Sequence, residues 1–332
     1  MDFGQIINLS LGYLLSPVTI AYALAAVGLA VHFGYAGLLN FGVAGFMAIG
    51  AYGYAISILS FNLPWWLGII VGMIGAAIFA VILGIPTLRL RADYLAIVTI
   101  AAAEIVRLLF TTQVFDEWTN SADGLGGYHA GFRGANPFIN WFGMDPQGRY
   151  GFGPWIYTPD QLWVRVFGLI LLAIAVYLVW ALMRSPWGRV LKGIREDEDA
   201  VRSLGKNVFA YKMQALIIGG VFGALGGVVL SLPSAVVPSV YQTSLTFFIW
   251  TILLLGGAAT VFGPVVGAVI FWVLMAFLDA ILPALASQGI LPISSIQAAN
   301  LRYVLVGIAL MLIVIFRPQG IFGNKRELTF VK

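Results

Sequence analysis

From residue 14 onward the sequence returns repeatedly to uninterrupted apolar runs of about 20 residues, the length that crosses a hydrocarbon core about 30 Å thick. Such runs fall near 14–32, 36–60, 65–86, 93–111, 162–183, 213–232, 244–260, 264–283 and 300–316. Lipid offers no hydrogen bonds, so a chain that spans it must satisfy its own backbone, which for runs of this length means helices. Only 10% of the 332 residues are charged and 61% are hydrophobic, whereas a soluble domain carries about 25% charged residues. The expected fold is all-α: a polytopic transmembrane helical bundle of about eight to ten spans, with broken or re-entrant helices, forming one domain over 1–332.

Charge then sets sidedness. Residues 184–212 hold Arg184, Arg189, Lys192, Arg195, Arg202, Lys206 and Lys212 against four acids, whereas 112–161 hold Arg133 and Arg149 against five. Basic loops stay in the cytoplasm, so 184–212 is expected inside and 112–161 outside. Span parity puts Arg89 and Arg91, and the C-terminal tail with Arg317, Lys325, Arg326 and Lys332, on the inner side as well. Before Arg89 only Asp2 is charged. An N-terminus outside with nine spans and one inside with ten therefore both remain open, and the first apolar segment, lacking a positive flank, is expected to be retained. With no cysteine in the chain, disulfides, thiolate catalysis and cysteine-ligated metals are excluded. The net charge of +4 follows the membrane and gives no sign of nucleic-acid binding.

Small residues crowd two spans, at Gly37, Gly42, Gly45, Gly50 and Gly53 and at Gly219, Gly220, Gly223, Gly226 and Gly227. Helices in lipid associate by close backbone approach at such positions. Phe41-Gly42-Val43-Ala44-Gly45 and Phe262-Gly263-Pro264-Val265-Val266-Gly267 are loosely related interruptions in the two halves. Broken helices at corresponding positions line transport pathways.

The polar loop has helix punctuation. Ser185 caps, Pro186 takes the first position and Gly205 suits the stop. Val190, Ile194, Val201 and Leu204 fall on one stripe, while Lys192/Glu196, Arg195/Asp199 and Glu198/Arg202 pair opposite charges at four-residue spacing. An amphipathic helix here, expected over 188–204, needs a partner for its apolar side.

The sequence resembles the inner-membrane permeases of ABC importers for branched-chain amino acids, the LivM-like subunits. The likeness rests on Gly37-Leu38-Leu39-Asn40-Phe41-Gly42, on Leu90-Arg91-Ala92-Asp93-Tyr94-Leu95-Ala96-Ile97-Val98-Thr99 with Glu104-Ile105-Val106-Arg107-Leu108, and on Arg317-Pro318-Gln319-Gly320-Ile321-Phe322-Gly323. Ala92 stands where the family usually has Gly, and Asp123-Gly124-Leu125-Gly126-Gly127 where Thr-Gly-Gly is common. The resemblance implies a heterodimer with a second permease, two cytoplasmic ATPase subunits, an extracytoplasmic substrate-binding protein and the plasma membrane of a prokaryote. It also implies that 184–212 is a coupling loop docking on an ATPase through Gly188, Arg189, Val190, Ile194, Arg195, Glu196, Asp197, Glu198, Val201, Leu204 and Gly205. The chain has no G-x-x-x-x-G-K-[ST] phosphate loop, so ATP chemistry is expected in separate subunits.

Asn40, Phe41, Gly42, Thr99, Glu104 and Arg107 are the residues expected along the translocation path. Glu104 and Arg107, three residues apart inside a span, belong either to that path or to an ion pair near the outer interface. Asp279, Arg302 and Arg165 near span ends are expected to snorkel or to be surface-exposed. The aromatics of 112–161, among them Trp118, Tyr128, Phe132, Trp141 and Phe152, suit a compact cap, interfacial belts and a docking surface for the binding protein. An intramembrane enzyme built on Glu104 with His32 or His129 lacks nucleophile or metal spacing. An autonomous channel or secondary transporter would need a ladder of buried carboxylates that the chain lacks. Urea, short amides and other small solutes remain alternative cargoes to branched-chain amino acids.

Overall fold

A computed structural model describes residues 3–89, 92–288, 293–317 and 319–323. Leu90, Arg91, Pro318 and the tail basic residues Lys325, Arg326 and Lys332 lie outside the described residues, as does Asp2. The chain is helical nearly throughout: α1 (Phe3–Gly12), α2 (Pro17–Leu29), α3 (Val43–Leu59), α4 (Trp65–Thr87) and α5 (Ala92–Thr111) lead to a long connecting segment with the short helices α6 (Asp116–Thr119), α7 (Ala130–Gly134) and α8 (Pro137–Asn140). A hairpin of β1 (Tyr150–Phe152) and β2 (Trp155–Tyr157) follows, paired antiparallel. Then come α9 (Pro159–Arg184), α10 (Pro186–Glu196), α11 (Glu198–Ser203), α12 (Val208–Ser231), α13 (Thr243–Gly256), α14 (Gly263–Ser287) and α15 (Ser295–Phe316).

Among the described residues seven helices are long and apolar enough to cross a membrane, and Phe3–Leu15, Val43–Leu59 and Thr243–Gly256 are shorter apolar helices. The polytopic bundle is therefore as expected, and two spans are indeed broken. Residues 37–42, read as the start of the 36–60 span, are not helical, and α13 stops at Gly256 instead of running to 260.

Helix α12 is the hub, packed against α2, α3 and α4. Its glycines explain why. A Cβ on Gly226 would lie 2.6 Å from the Ala21 carbonyl oxygen of α2, and one on Gly220 or Gly227 would run into Phe46 or the Met47 backbone of α3. Hydrogen side chains let three backbones meet where apolar burial gives no drive. The glycine stripe is thus packing surface.

The segment 112–161 is a cap pinned to the bundle. Tyr128 donates to the carbonyls of Ser231 and Ser234 at 2.8 and 2.7 Å, Leu125 pairs with Val236 across an antiparallel bridge, and Trp163 Nε1 donates to the Phe132 carbonyl at 3.1 Å. Tyr128 and Phe132 are buried, while Trp141, Phe142 and Phe152 remain exposed. Of the residues expected to snorkel or lie at the surface, Arg302 pairs with the well-exposed Asp279 across α14 and α15, and Arg165 lies over the Tyr157 ring with its centroid at 3.7 Å.

Candidate functional site

The unwound segment 37–42 follows a π-helical turn, Ala30–Tyr35, that ends α2. Gly37, at φ +70°, supplies the left-handed backbone that turns the chain away from it. Unwinding inside a bundle frees N–H groups that lipid cannot satisfy. Here two neighbouring helices and the segment's own Asn40 satisfy them: Phe41 N–H donates to Thr99 Oγ1 of α5 at 2.9 Å, Gly42 N–H to Asn40 Oδ1 at 2.7 Å, and Ala44 N–H to Thr246 Oγ1 of α13 at 3.0 Å.

The same network runs back into α2. Since Asn40 Oδ1 accepts from Gly42, its amide nitrogen faces His32 Nδ1, 3.0 Å away. That makes Nδ1 the acceptor and leaves Nε2–H to donate to the Leu216 carbonyl of α12 at 3.1 Å. Trp250 Nε1 donates to the Asn40 carbonyl at 3.1 Å, and its ring stacks on Phe41 at 4.5 Å between centroids. His32, Asn40 and Thr99 are buried.

Two further interruptions converge here. The non-helical stretch between α13 and α14 touches the π turn, because a Cβ on Gly34 would strike the Ala258 carbonyl. The C-terminal stretch 319–323 then covers α13's end, with Ile321 and Phe322 donating to the carbonyls of Leu255 and Gly256 at 2.9 and 3.1 Å. The interruptions at Phe41-Gly42 and Phe262-Gly263 are thus starts of α3 and α14 after adjoining breaks.

From the basic loop, α10 reaches this junction directly. Ser185 and Pro186 start it as expected, and Gly188 is needed because a Cβ there would lie 2.6 Å from the Leu182 carbonyl oxygen. Arg195 donates to the Gly34 carbonyl and packs on Gly37, while Lys192 lies over the Tyr35 ring at 5.8 Å.

The expected single helix over 188–204 is corrected. Asp197, at φ −152° and ψ 101°, ends α10 and caps α11 by accepting from Ala200 N–H at 2.9 Å. Four acids in succession favour this, because an Asp side chain serves better as a cap than inside a helix. The stripe Val190, Ile194, Val201, Leu204 is consequently split. Ile194 is buried against the bundle, Val190 and Val201 are half-buried, and Leu204 is exposed beside Gly205 at φ +74°. Arg189 and Asp199 are exposed, and Glu196 lies 3.6 Å from Arg195. The Glu198/Arg202 pair forms at 2.8 Å, and Glu198 also takes Lys212 of α12.

Glu104 and Arg107 form a bidentate pair, Arg107 Nε lying 3.0 Å from both carboxylate oxygens. Both are half-exposed and flank the exposed stripe Tyr94, Ile97, Ile105 and Leu108 of α5. Asn40, Phe41, Gly42 and Thr99 are brought into one cluster, and Glu104 and Arg107 join it only through the shared helix α5. Thr246 and Trp250 were missed by sequence reasoning, and His32 was weighed only as part of an intramembrane enzyme. Their signal is a polar or hydrogen-bonding side chain inside an apolar run, which only the fold assigns to a partner. Among the described residues no cluster of potential ligands could hold a metal.

The permease component of branched-chain amino acid transport systems matches residues 13–315. The high-affinity branched-chain amino acid transport system permease protein LivM of Escherichia coli (strain K12) is 28% identical over 94% of this chain and 70% of that protein. A probable branched-chain amino acid transport permease protein LivM of Methanocaldococcus jannaschii is 27% identical over 93% of this chain and 92% of its own length. The nucleoside ABC transporter permease protein NupC of Lactococcus lactis is 25% identical over 58% of each. A match of this extent spans the π turn, both helix breaks and the basic loop alike, and the chain belongs to the family of branched-chain amino acid transport permease components.

Proposed function

We propose that this chain is the membrane-embedded permease subunit of an ABC importer that carries branched-chain amino acids inward, pairing with a second permease, two cytoplasmic ATPases and an extracytoplasmic binding protein. The chain's part is conformational and the ATP chemistry lies in other subunits. The relatives above that match over more than nine-tenths of this chain, those of Escherichia coli and Methanocaldococcus jannaschii, are named for branched-chain amino acids, which favours that cargo over nucleosides, urea or amides.

Arg195 on the Gly34 carbonyl is the contact that supports this best. It ties the basic loop, on the cytoplasmic face in this reading together with the C-terminus, to the buried joint of His32, Asn40 and Thr99, and through Thr99 to α5. In the proposed cycle an ATPase grips α10 and α11 through the exposed Arg189, Glu196, Asp197, Leu204 and Gly205 and the half-buried, already paired Glu198. Gly188, Val190, Ile194, Arg195 and Val201 transmit the movement to the bundle. Segment 37–42 then works as a hinge, able to shift because no helix ladder continues past Gly37, whose N–H still bonds the Phe33 carbonyl. α5, with Glu104 and Arg107, faces the path, where a half-exposed charged pair meets water or a zwitterion instead of lipid. Outside, the exposed Trp141, Phe142 and Phe152 and the five acids of 112–161 offer a docking surface to the binding protein.

The test is reconstitution of the complete complex in vesicles with ATP hydrolysis and leucine uptake measured together. Arg195→Ala is expected to leave hydrolysis running while uptake fails. Uptake at the unmodified rate would remove the coupling role from this contact.

A further inference from the structure

Where α4 ends and α12 begins, a cavity of about 670 Å³ opens beside α11. Its charged lining consists of Arg89, Arg202, Lys206 and Lys212 against Glu198 and Asp199. Both acids are already engaged, Glu198 by Arg202 and Lys212 and Asp199 by Arg202 at 3.0 Å. Arg89 and Lys206 form no ion pair among the described residues, and the Arg89 guanidinium lies over the Phe209 ring at 5.6 Å. The cavity therefore holds uncompensated positive charge that an anion would satisfy.

Its position says which anion. The floor is Leu88 and Val208, one residue past the end of α4 and the first residue of α12, so the cavity opens where apolar helix gives way to polar surface. Below it on α4, Ile78, Ile82 and Ile85 are exposed and step at four and three residues along one helix face, and Arg89 follows two residues past the helix end. An apolar track leading to a basic pocket has the shape of an acyl chain below a phosphate. We propose that this cavity holds the headgroup phosphate of an anionic phospholipid, drawn from the leaflet at which α4 ends and α12 begins. Basic pockets between spans on the cytoplasmic side bind such headgroups. Because Glu198 and Arg202 form one wall, an occupied pocket steadies α11 against α12, and the lipid becomes a structural part of the loop's mounting.

The assembled complex is purified into nanodiscs of phosphatidylcholine alone or mixed with phosphatidylglycerol, and retained lipid is counted by native mass spectrometry. Preferential retention of phosphatidylglycerol is expected, falling roughly 30-fold in Arg89→Gln/Lys206→Gln, as two basic side chains at about 1 kcal/mol each imply. Equal retention by both proteins overturns the proposal. Inorganic phosphate that displaces phosphatidylglycerol at micromolar levels overturns the lipid source in favour of a soluble anion. Loss of the ATPase subunits from the double variant in phosphatidylcholine alone assigns the two cations to a protein contact and overturns it too. Should the variant fail to assemble, a photoactivatable phosphatidylglycerol on the unmodified complex decides: crosslinks at 82–89 or 206–209 support the site, and crosslinks confined elsewhere overturn it.

Discussion

Asn40 hands its amide hydrogen to His32 Nδ1 across 3.0 Å while its carbonyl oxygen receives Gly42 N–H at 2.7 Å, so one side chain fastens a π turn to the start of the following helix. Asn40→Ala removes both bonds and leaves two buried polar groups unpaired, at about 1–3 kcal/mol each. The purified protein in detergent is expected to unfold several degrees earlier, with uptake impaired more than assembly. Thermal unfolding with size-exclusion chromatography checks this, and an unchanged midpoint would mean that the network does not hold the joint.

Arg195 is a fork aimed at a carbonyl, and its replacement separates geometry from charge. Arg195→Lys keeps the charge but not the fork, and Arg195→Ala loses both. At about 1.5–3 kcal/mol for a charge-assisted hydrogen bond, uptake per ATP hydrolysed should fall on the order of ten-fold in Arg195→Ala and less in Arg195→Lys. Identical ratios in all three proteins would show that force passes elsewhere.

Glu104 and Arg107 satisfy each other, which predicts tolerance of the exchanged pair. Glu104→Arg/Arg107→Glu should assemble as well as the unmodified chain, whereas Glu104→Gln leaves an uncompensated cation in the span. If α5 faces the path, both variants reduce leucine uptake, on the order of ten-fold for Glu104→Gln, with complex yield retained. Collapse of yield in Glu104→Gln alongside normal uptake by the exchanged pair would make the interaction purely structural.

His129, in the cap formed by 112–161, has its pKa lowered from the ordinary 6.5 by burial and then by the nearby Arg133 charge. The unfolded cap therefore binds more protons than the folded one between that lowered value and 6.5. Stability is full above pH 6.5 and declines as pH falls below it. Hydrogen exchange of residues 120–135 should accelerate on acidification in the unmodified chain and respond less in His129→Gln. Exchange that is insensitive to pH, after correction for intrinsic rates, would refute the assignment.

Gly226 has the Ala21 backbone where a side chain would go. Gly226→Val must push α2 from α12, costing about 1–3 kcal/mol or more because backbone cannot yield as a side chain can. Membrane-inserted folded protein, measured by fluorescence size-exclusion, should drop sharply, and undiminished yield would show that the crossing can widen.

The apolar runs alone determined that this chain is a helical bundle in lipid, because hydrophobic length and backbone satisfaction leave no other fold. Ser185-Pro186 and Gly205 likewise marked the ends of the basic loop's helical part, since caps and stops are local chemistry. What stayed hidden were relationships between residues far apart in the chain. No local pattern links His32 to Leu216, Asn40 to Trp250 or Arg195 to Gly34. The break at Asp197 was also missed, because helix periodicity continues through it while the cap competes. Tertiary structure decided these points: inside a bundle every freed N–H must find a partner, and only packing brings α2, α5, α10, α12 and α13 close enough to supply one.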